Sequence, residues 1–171
     1  MRIYLADLGH NLQTISSDVY PLGVANLATY AREYTRSDDG LEIRIFREPL
    51  DLKVALDNEI PDILGLSSYA WNHNLSVHFA RYARVLSPRV VTLMGGPNFP
   101  LTSGEQESWI RGMPEIDFHV RGPTYEGERA FLNLVQRFVD VAQQRDCQLG
   151  QTDAAGVVSV RVHVRHEERQ G

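Results

Sequence analysis

The stretch PDILGLSSYAWN (residues 61–72) gives the strongest indication of the fold. Within it, residues 62–67 form a nearly continuous apolar run that ends in serine, and VVTLM (90–94) repeats the pattern before Gly95 and Gly96. Strands of a parallel sheet with both faces covered have such runs, because their side chains are buried on either side. The two segments therefore predict inner strands of a parallel sheet.

Strands and helices alternate on both sides of this stretch. Short β-rich runs and apolar positions at helical spacing follow one another about five times along the chain. The further expected strands are 2–7, 41–46 and 116–120, and the expected helices are 21–34, 51–58, 75–86, 104–112 and 131–142. This order predicts a doubly wound α/β fold of three layers, with right-handed crossovers that place helices on both faces of the sheet.

The chain changes character after residue 143. Residues 145–156 are polar, which is typical of a linker, and 157–165 (VVSVRVHVR) alternate apolar and polar residues. We expect one α/β domain over 1–142 and a linker and tail over 143–171, from which one edge strand can join the sheet.

Composition excludes several classes of partner and site. The 171-residue chain has a net charge of −5, which gives no reason to expect a nucleic acid or an anionic membrane as partner. The one cysteine, Cys147, cannot by itself form a disulfide framework, a zinc ribbon or an iron–sulfur cluster. No apolar run reaches the ~18 residues of a membrane span and no signal-peptide core is present, so we expect a cytoplasmic protein.

The loops after the strands are the expected ligand site, because doubly wound sheets bind ligands beyond the carboxyl ends of their strands. These loops are 8–20, 67–74, 95–103 and 121–127. The sequence contains no G-x-S-x-G elbow and no histidine pair at helical zinc spacing, so we expect no catalysis by this chain alone.

Each loop also has a purely structural interpretation. Gly95 and Gly96 permit either a close approach of a bulky ligand or a tight turn. In the loop 67–74, small serines and aromatic side chains suit a ligand, whereas Asn72 or Asn74 suits the N-cap of the next helix.

Five stretches together resemble the N-terminal cobalamin-binding domain of B12-dependent radical SAM proteins. They are YPLGVANLATY (20–30), PDILGLSSYAWN (61–72), MGGPNFP (94–100), PEIDFHVRG (114–122) and EGERAFLNLV (126–135), in the family's order and at about its spacing. The resemblance covers roughly residues 1–142. It implies a flavodoxin-like (Rossmann-like) five-stranded sheet that holds cobalamin at its carboxyl edge, with the nucleotide tail in a slot beside the sheet.

The resemblance also implies which residues bind the corrinoid. Ser67 and Ser68 would contact the tail, and Tyr69 and Trp71 would lie near the corrin ring. The residues implied for the tail slot are Gly95 and Gly96, Pro97 and Asn98 at its mouth, and Gly122, Glu126 and Gly127 on its other side.

Three departures from the family's pattern affect this interpretation. Residues 7–12 (DLGHNL) differ from the D-x-H-x-x-G of corrinoid carriers, so His10 is a candidate cobalt ligand outside the usual spacing. RGPTYEGE (121–128) is three residues longer than the family's RGEGE turn. The Cys-x3-Cys-x2-Cys motif is missing. The resemblance thus implies a cobalamin-binding module without an iron–sulfur cluster, which supports methyl transfer only with a separate radical SAM domain or protein.

Two other functions stay open. A degenerate or truncated homologue would keep the fold and act as an interaction module without corrinoid, which the extended loop and the unrelated tail favour. The second is a flavodoxin-like domain that binds another flat or phosphate-bearing ligand, such as flavin. Residues 8–20 match the Ser-, Thr- and Gly-rich phosphate loop of such a domain only loosely. A response-regulator receiver is excluded, because Ser67 and Ser68 stand where its phospho-acceptor aspartate is needed.

Overall fold

The computed structural model describes residues 1–9, 20–35, 40–120, 127–143 and 157–159, with the backbone alone for 139–143 and 157–159. The strands are β1 Arg2–Ala6, β2 Glu42–Phe46, β3 Ile63–Ser67, β4 Val91–Gly95, β5 Phe118–Val120 and β6 Val157–Ser159. The helices are α1 Leu22–Tyr34, α2 Pro49–Asn58, α3 His73–Leu86, α4 Ser103–Arg111 and α5 Gly127–Gln143. The expected order of elements is confirmed.

The strands form one sheet in the order β2-β1-β3-β4-β5-β6. The first five strands of that order are parallel, and β6 pairs antiparallel with β5. The five-stranded doubly wound sheet predicted from the sequence is therefore confirmed, and the order reverses between β1 and β3. The tail contributes β6, the first three residues of the alternating run 157–165, and the rest of that run lies outside the described residues.

The core has two layers, one on each face of the sheet. All five residues of β3 are buried, as the continuous apolar run predicts. On one face, Tyr4, Leu64 and Met94 pack against α2, α3 and the region of α4. On the other face, Ile3, Ile63 and Leu93 pack against α1 and α5. Full burial of such side chains contributes roughly 1.5–3 kcal/mol each, so the two layers are the main source of stability.

Helix boundaries follow local chemistry. Helix α2 begins at Pro49, two residues before its expected start, because the missing N–H of proline costs nothing in the first turn of a helix. Within the described ranges, no helix is both long enough and apolar enough to span a membrane.

Candidate functional site

A cavity of about 400 Å³ opens at the carboxyl edge of the sheet, near the point where the strand order reverses. This volume lies in the range of small-molecule sites. Its lining comes from the ends of β1, β3, β4 and β5, from the first two turns of α1 and from the first turn of α5. The lining residues are Leu5, Asp7, Gly23, Val24, Leu27, Gly65, Leu66, Ser67, Tyr69, Leu93, Met94, Gly95, Gly96, Pro97, Val120, Gly127 and Glu128.

Two of the glycines that line the cavity border open space. A Cβ atom added at Gly23 or at Gly127 would meet no atom within 4 Å, so both helix starts face open volume. A Cβ atom at Gly65 would come within 2.7 Å of Leu5 Cδ2, so this glycine permits close packing inside the sheet. The lining is mostly apolar, and a flat or elongated organic ligand suits such a surface.

The turn after β4 depends on Gly96, whose φ of 128° is a conformation that other residues rarely adopt. A Cβ atom there would lie 2.5 Å from the backbone oxygen of Ser68. The N–H of Ser68 donates to Gly95 O at 2.6 Å, and the N–H of Asn98 donates to Ser68 O at 3.1 Å. The tight-turn interpretation therefore accounts for Gly96, while the residues around it still form one wall of the cavity.

A buried polar network stands below this wall. Ser67 Oγ donates to Asp7 Oδ1 at 2.5 Å, and Asn72 Nδ2 donates to Ser67 Oγ at 2.9 Å and to Leu8 O at 3.3 Å. Asn72 Oδ1 accepts the Tyr69 N–H at 2.8 Å. Asn72 occupies the N-cap position of α3 but makes no side-chain cap bond. The expected position of the cap is correct, but the expected cap hydrogen bond is absent. The Asn72 side chain instead links the end of β1 to the loop after β3.

Two aromatic side chains extend this loop towards solvent. Tyr69 lines the cavity, and its ring stacks on Trp71 at 4.5 Å between centroids and 10° between planes. Trp71 remains 58% exposed. Burial, and secondarily the negative charge of Asp7, raise the pKa of the Tyr69 hydroxyl above its usual value. Tyr69 is therefore a neutral hydrogen-bond donor over the whole physiological range of pH.

Behind the wall, four rings form a cluster of His73, Phe99, Trp109 and His119. Phe99 stacks on His119 at 3.7 Å and 7°, and Trp109 meets both of these rings edge to face. His73 lies 5.5 Å from Trp109, between ring centroids, and its Nδ1 is 3.0 Å from Ser68 Oγ. Burial lowers the pKa of His73 and lowers the pKa of His119 to about 3, so both imidazoles are neutral at pH 7.

The structure brings many of the sequence-predicted residues together. Six of them line the cavity: Ser67, Tyr69, Gly95, Gly96, Pro97 and Gly127. Ser68 is fully buried behind the wall, Asn98 holds the wall through its N–H, and Trp71 lies against Tyr69. His10, Gly122 and Glu126 lie outside the described residues. The binding role of all these residues stays a prediction.

Sequence reasoning did not single out Gly23 and Gly65 as lining residues. Gly23 lies in the stretch YPLGVANLATY, near the start of a helical pattern. A glycine at that place was the available signal that the helix start faces open space. Among the described residues, no group of three histidine, cysteine or carboxylate side chains is placed to hold a metal ion.

Comparisons with known proteins bear on the same region. The chain is 32% identical over 126 residues to the 2-(S-pantetheinyl)-carbapenam-3-carboxylate methyltransferase of Streptantibioticus cattleyicolor, a match that covers 70% of this chain and 17% of that protein. It is 28% identical over 141 residues to the cobalamin-dependent radical SAM methyltransferase TokK of Streptomyces tokunonensis, covering 79% of this chain and 20% of TokK. No protein-family model matches.

A solved structure has the same fold. The cobalamin-dependent S-adenosylmethionine radical enzyme OxsB, determined with aqua-cobalamin and S-adenosylmethionine bound, aligns with a TM-score of 0.58 at 15% identity. The alignment covers 93% of this chain and 20% of the OxsB chain. The chain thus spans about a fifth of the length of the proteins that it matches, and both curated relatives are methyltransferases, of which TokK is a cobalamin-dependent radical SAM enzyme.

Proposed function

We propose that this chain binds cobalamin in the cavity at the carboxyl edge of the sheet. The observation that carries the proposal is the glycine-lined cavity beside the strand ends, in a chain whose homologues include a cobalamin-dependent methyltransferase. The residues present fit such a ligand, because Gly23 and Gly127 leave open volume where a long tail would enter.

The helix N-termini at the cavity favour an anionic group, whereas the charged side chains of the lining, Asp7 and Glu128, disfavour one beside them. Helices α1 and α5 both begin at the cavity, and the N-terminus of a helix attracts negative charge. The first turn of α5 already contains Glu128, whereas the first turn of α1 contains no acidic residue. The start of α1, around Gly23, is therefore the better place for the phosphate of a nucleotide tail.

The polar and aromatic side chains would orient the flat part of the ligand. Tyr69 and the Trp71 ring stacked on it offer an apolar surface beside the cavity mouth. Ser67 is held by Asp7 and Asn72, so its hydroxyl stays in one position. When bound, cobalamin supplies a cobalt centre for methyl transfer. We propose that an iron–sulfur cluster and S-adenosylmethionine are bound by a separate radical SAM domain or protein.

The test is a titration of the full chain with hydroxocobalamin, followed by desalting and a visible spectrum. We expect about one corrinoid retained per chain. The matched pair Gly23→Leu and Gly104→Leu controls for helix effects, because each glycine is the second residue of its helix and neither has atoms near its Cβ position. Only Gly23 lines the cavity, so only Gly23→Leu should weaken binding, by tenfold or more.

Two results would overturn the proposal. A folded wild-type chain that retains no corrinoid would leave the interaction module as the leading account. Equal binding by Gly23→Leu and Gly104→Leu would move the ligand away from this cavity. The variant His10→Ala tests the remaining cobalt-ligand prediction, since a changed spectrum of the bound corrinoid would indicate that His10 contacts cobalt.

A further inference from the structure

The wall segment Gly95–Phe99 is held from behind at three points. Two are hydrogen bonds to the backbone of Ser68, one from Ser68 N–H to Gly95 O and one from Asn98 N–H to Ser68 O. The third is the Phe99 ring, which lies flat on His119. Pro97, two residues from Phe99, lines the cavity. A movement of Phe99 therefore moves the surface that a ligand would contact.

His119 is an unusual residue for this position. It is fully buried in the centre of β5, and within the part of the chain that the structure describes neither ring nitrogen has a hydrogen-bond partner. A buried polar group without a partner destabilises a fold, whereas a phenylalanine or leucine would fill the same space at no such cost. Packing alone does not explain an imidazole here.

Protonation of the His119 ring would destabilise the packed position of the Gly95–Phe99 wall, which we call the closed wall. A positive charge at His119 would lie in a fully buried site that excludes water, and the attraction of the Phe99 ring face for a cation offsets only part of the cost of that burial. Burial is the main reason that its pKa is low, and the neighbouring His73 lowers it further. The Val120 backbone opposes the shift without reaching hydrogen-bond geometry. An open wall would admit water to the ring, and the pKa of His119 would return towards its ordinary value.

The charged groups around the cluster offer the proton little compensation. From α3, His73 faces it, and from the connection to β5, Glu115 acts on His73 but is paired with Arg81. Helix α4 contributes Trp109, while its Glu107 and Arg111 pair with each other on the exposed side. Asp117, two residues before His119, pairs with Arg84 of α3 and accepts hydrogen bonds from Thr92. Each carboxylate near the cluster is thus already paired with an arginine, so opening of the wall would be the main way to stabilise a protonated His119.

We propose that His119 is a positioning residue for the cavity, whose neutral ring holds the Gly95–Phe99 wall closed and whose protonation releases it. The inference rests on the proposed function, because cobalamin is the ligand whose binding the wall would control. His119 does not line the cavity, so it would act on the ligand only through Phe99 and the wall.

The first experiment measures the dissociation constant for hydroxocobalamin at pH 7.5 and at pH 5. In the wild type we expect the constant to rise tenfold or more, since one histidine linked to opening contributes at most about tenfold per pH unit below ~6.5. In His119→Phe we expect the ratio of the two dissociation constants to be at least fivefold smaller than in the wild type. His78→Gln, which removes an exposed imidazole of α3, should behave as the wild type. Any titration of the corrinoid itself is common to all three proteins and cancels in their ratios.

A second pair of variants separates positioning from simple packing. His119→Ala removes the ring under Phe99 and should raise the dissociation constant at pH 7.5 by tenfold or more, and His119→Phe should recover most of that loss. The inference is overturned when His119→Phe keeps the wild-type acid dependence, or when folded His119→Ala binds as the wild type does.

A ligand-free measurement distinguishes failure of this inference from failure of the proposed function. Amide hydrogen exchange of residues 95–100, corrected for intrinsic rates, should lose protection between pH 7.5 and pH 5 in the wild type and not in His119→Phe. That result without any corrinoid binding would reject the proposed function and retain the positioning role. Exchange that is equally insensitive to pH in both proteins would reject the positioning role.

Discussion

Beyond the ends of β3 and β4, the side of the sheet under α1 and α5 is open, whereas the side under α3 and α4 is filled. On the open side, Gly23 and Gly127 face empty volume and the cavity follows. On the filled side, Ser68, Asn72 and His119 are fully buried among hydrogen bonds and stacked rings. The same sheet edge thus combines a space for a ligand with a rigid support, and the turn at Gly96 separates the two.

The largest effect is expected at that turn. Gly96→Ala forces a side chain into a positive φ and against the Ser68 carbonyl, and we expect the free energy of unfolding to fall by about 3 kcal/mol or more. Gly95→Ala is the matched control, since its Cβ would lie an ordinary 3.7 Å from Val120 and should cost less than ~1 kcal/mol. Urea denaturation of both variants measures the contrast. Equal losses would mean that the turn is not the strained element.

Asn72 tests the filled side directly. Asn72→Leu removes the amide that bonds Ser67, Leu8 and Tyr69 and leaves their polar atoms buried, so we expect a loss of about 2–4 kcal/mol. Asn74→Leu, an exposed position on the same helix, should change stability by less than ~0.5 kcal/mol. Thermal and urea unfolding report both. A small loss at Asn72 would indicate that water replaces its bonds, and the filled side would then be less rigid than described.

Acid should weaken the filled side before the open side. The pKa of His119 is about 3 in the folded chain and has the ordinary value of about 6.5 in the unfolded chain. Between these two pH values the unfolded chain binds a proton that the folded chain does not bind. Its contribution to stability is complete above about pH 6.5 and declines as the pH falls towards 3, by about 2 kcal/mol at pH 5. Urea denaturation from pH 8 to pH 5 measures this, and His119→Phe should flatten the profile. An unchanged slope in that variant would assign the acid sensitivity to other groups.

The smallest effect on stability is expected on the open side. Gly23→Leu and Gly104→Leu should each stabilise the chain by roughly 0.5–1 kcal/mol, because both replace glycine near the start of a helix without contacting other atoms. Thermal unfolding measures this gain. A loss of stability in Gly23→Leu alone would show that the cavity closes on itself in solution, and the contrast between the two sides would then disappear.

The fold was largely predictable from local patterns. The continuous apolar runs of β3 and β4 predicted inner parallel strands, and the structure buries them on both faces. The loops expected to hold a ligand also lie at the observed cavity, because parallel strands bring their carboxyl ends to one edge. The role of Asn72 was not predictable. An asparagine before a helix is usually an N-cap, but here its amide reaches Asp7 and Leu8, 65 and 64 positions away in the chain, which local spacing does not reveal.

The sequence by itself determined the order of the elements, the burial of the central strands and the edge of the sheet at which the loops with Gly95 and Gly96 lie. These properties follow from residue type and local spacing, which can be read directly from the sequence. Only the tertiary structure decided that the Ser68 backbone packs against Gly96, that the Phe99 ring covers His119 and that Gly23 faces a cavity. Each of these contacts joins residues from different loops or helices, whose distances depend on how the whole sheet twists and packs.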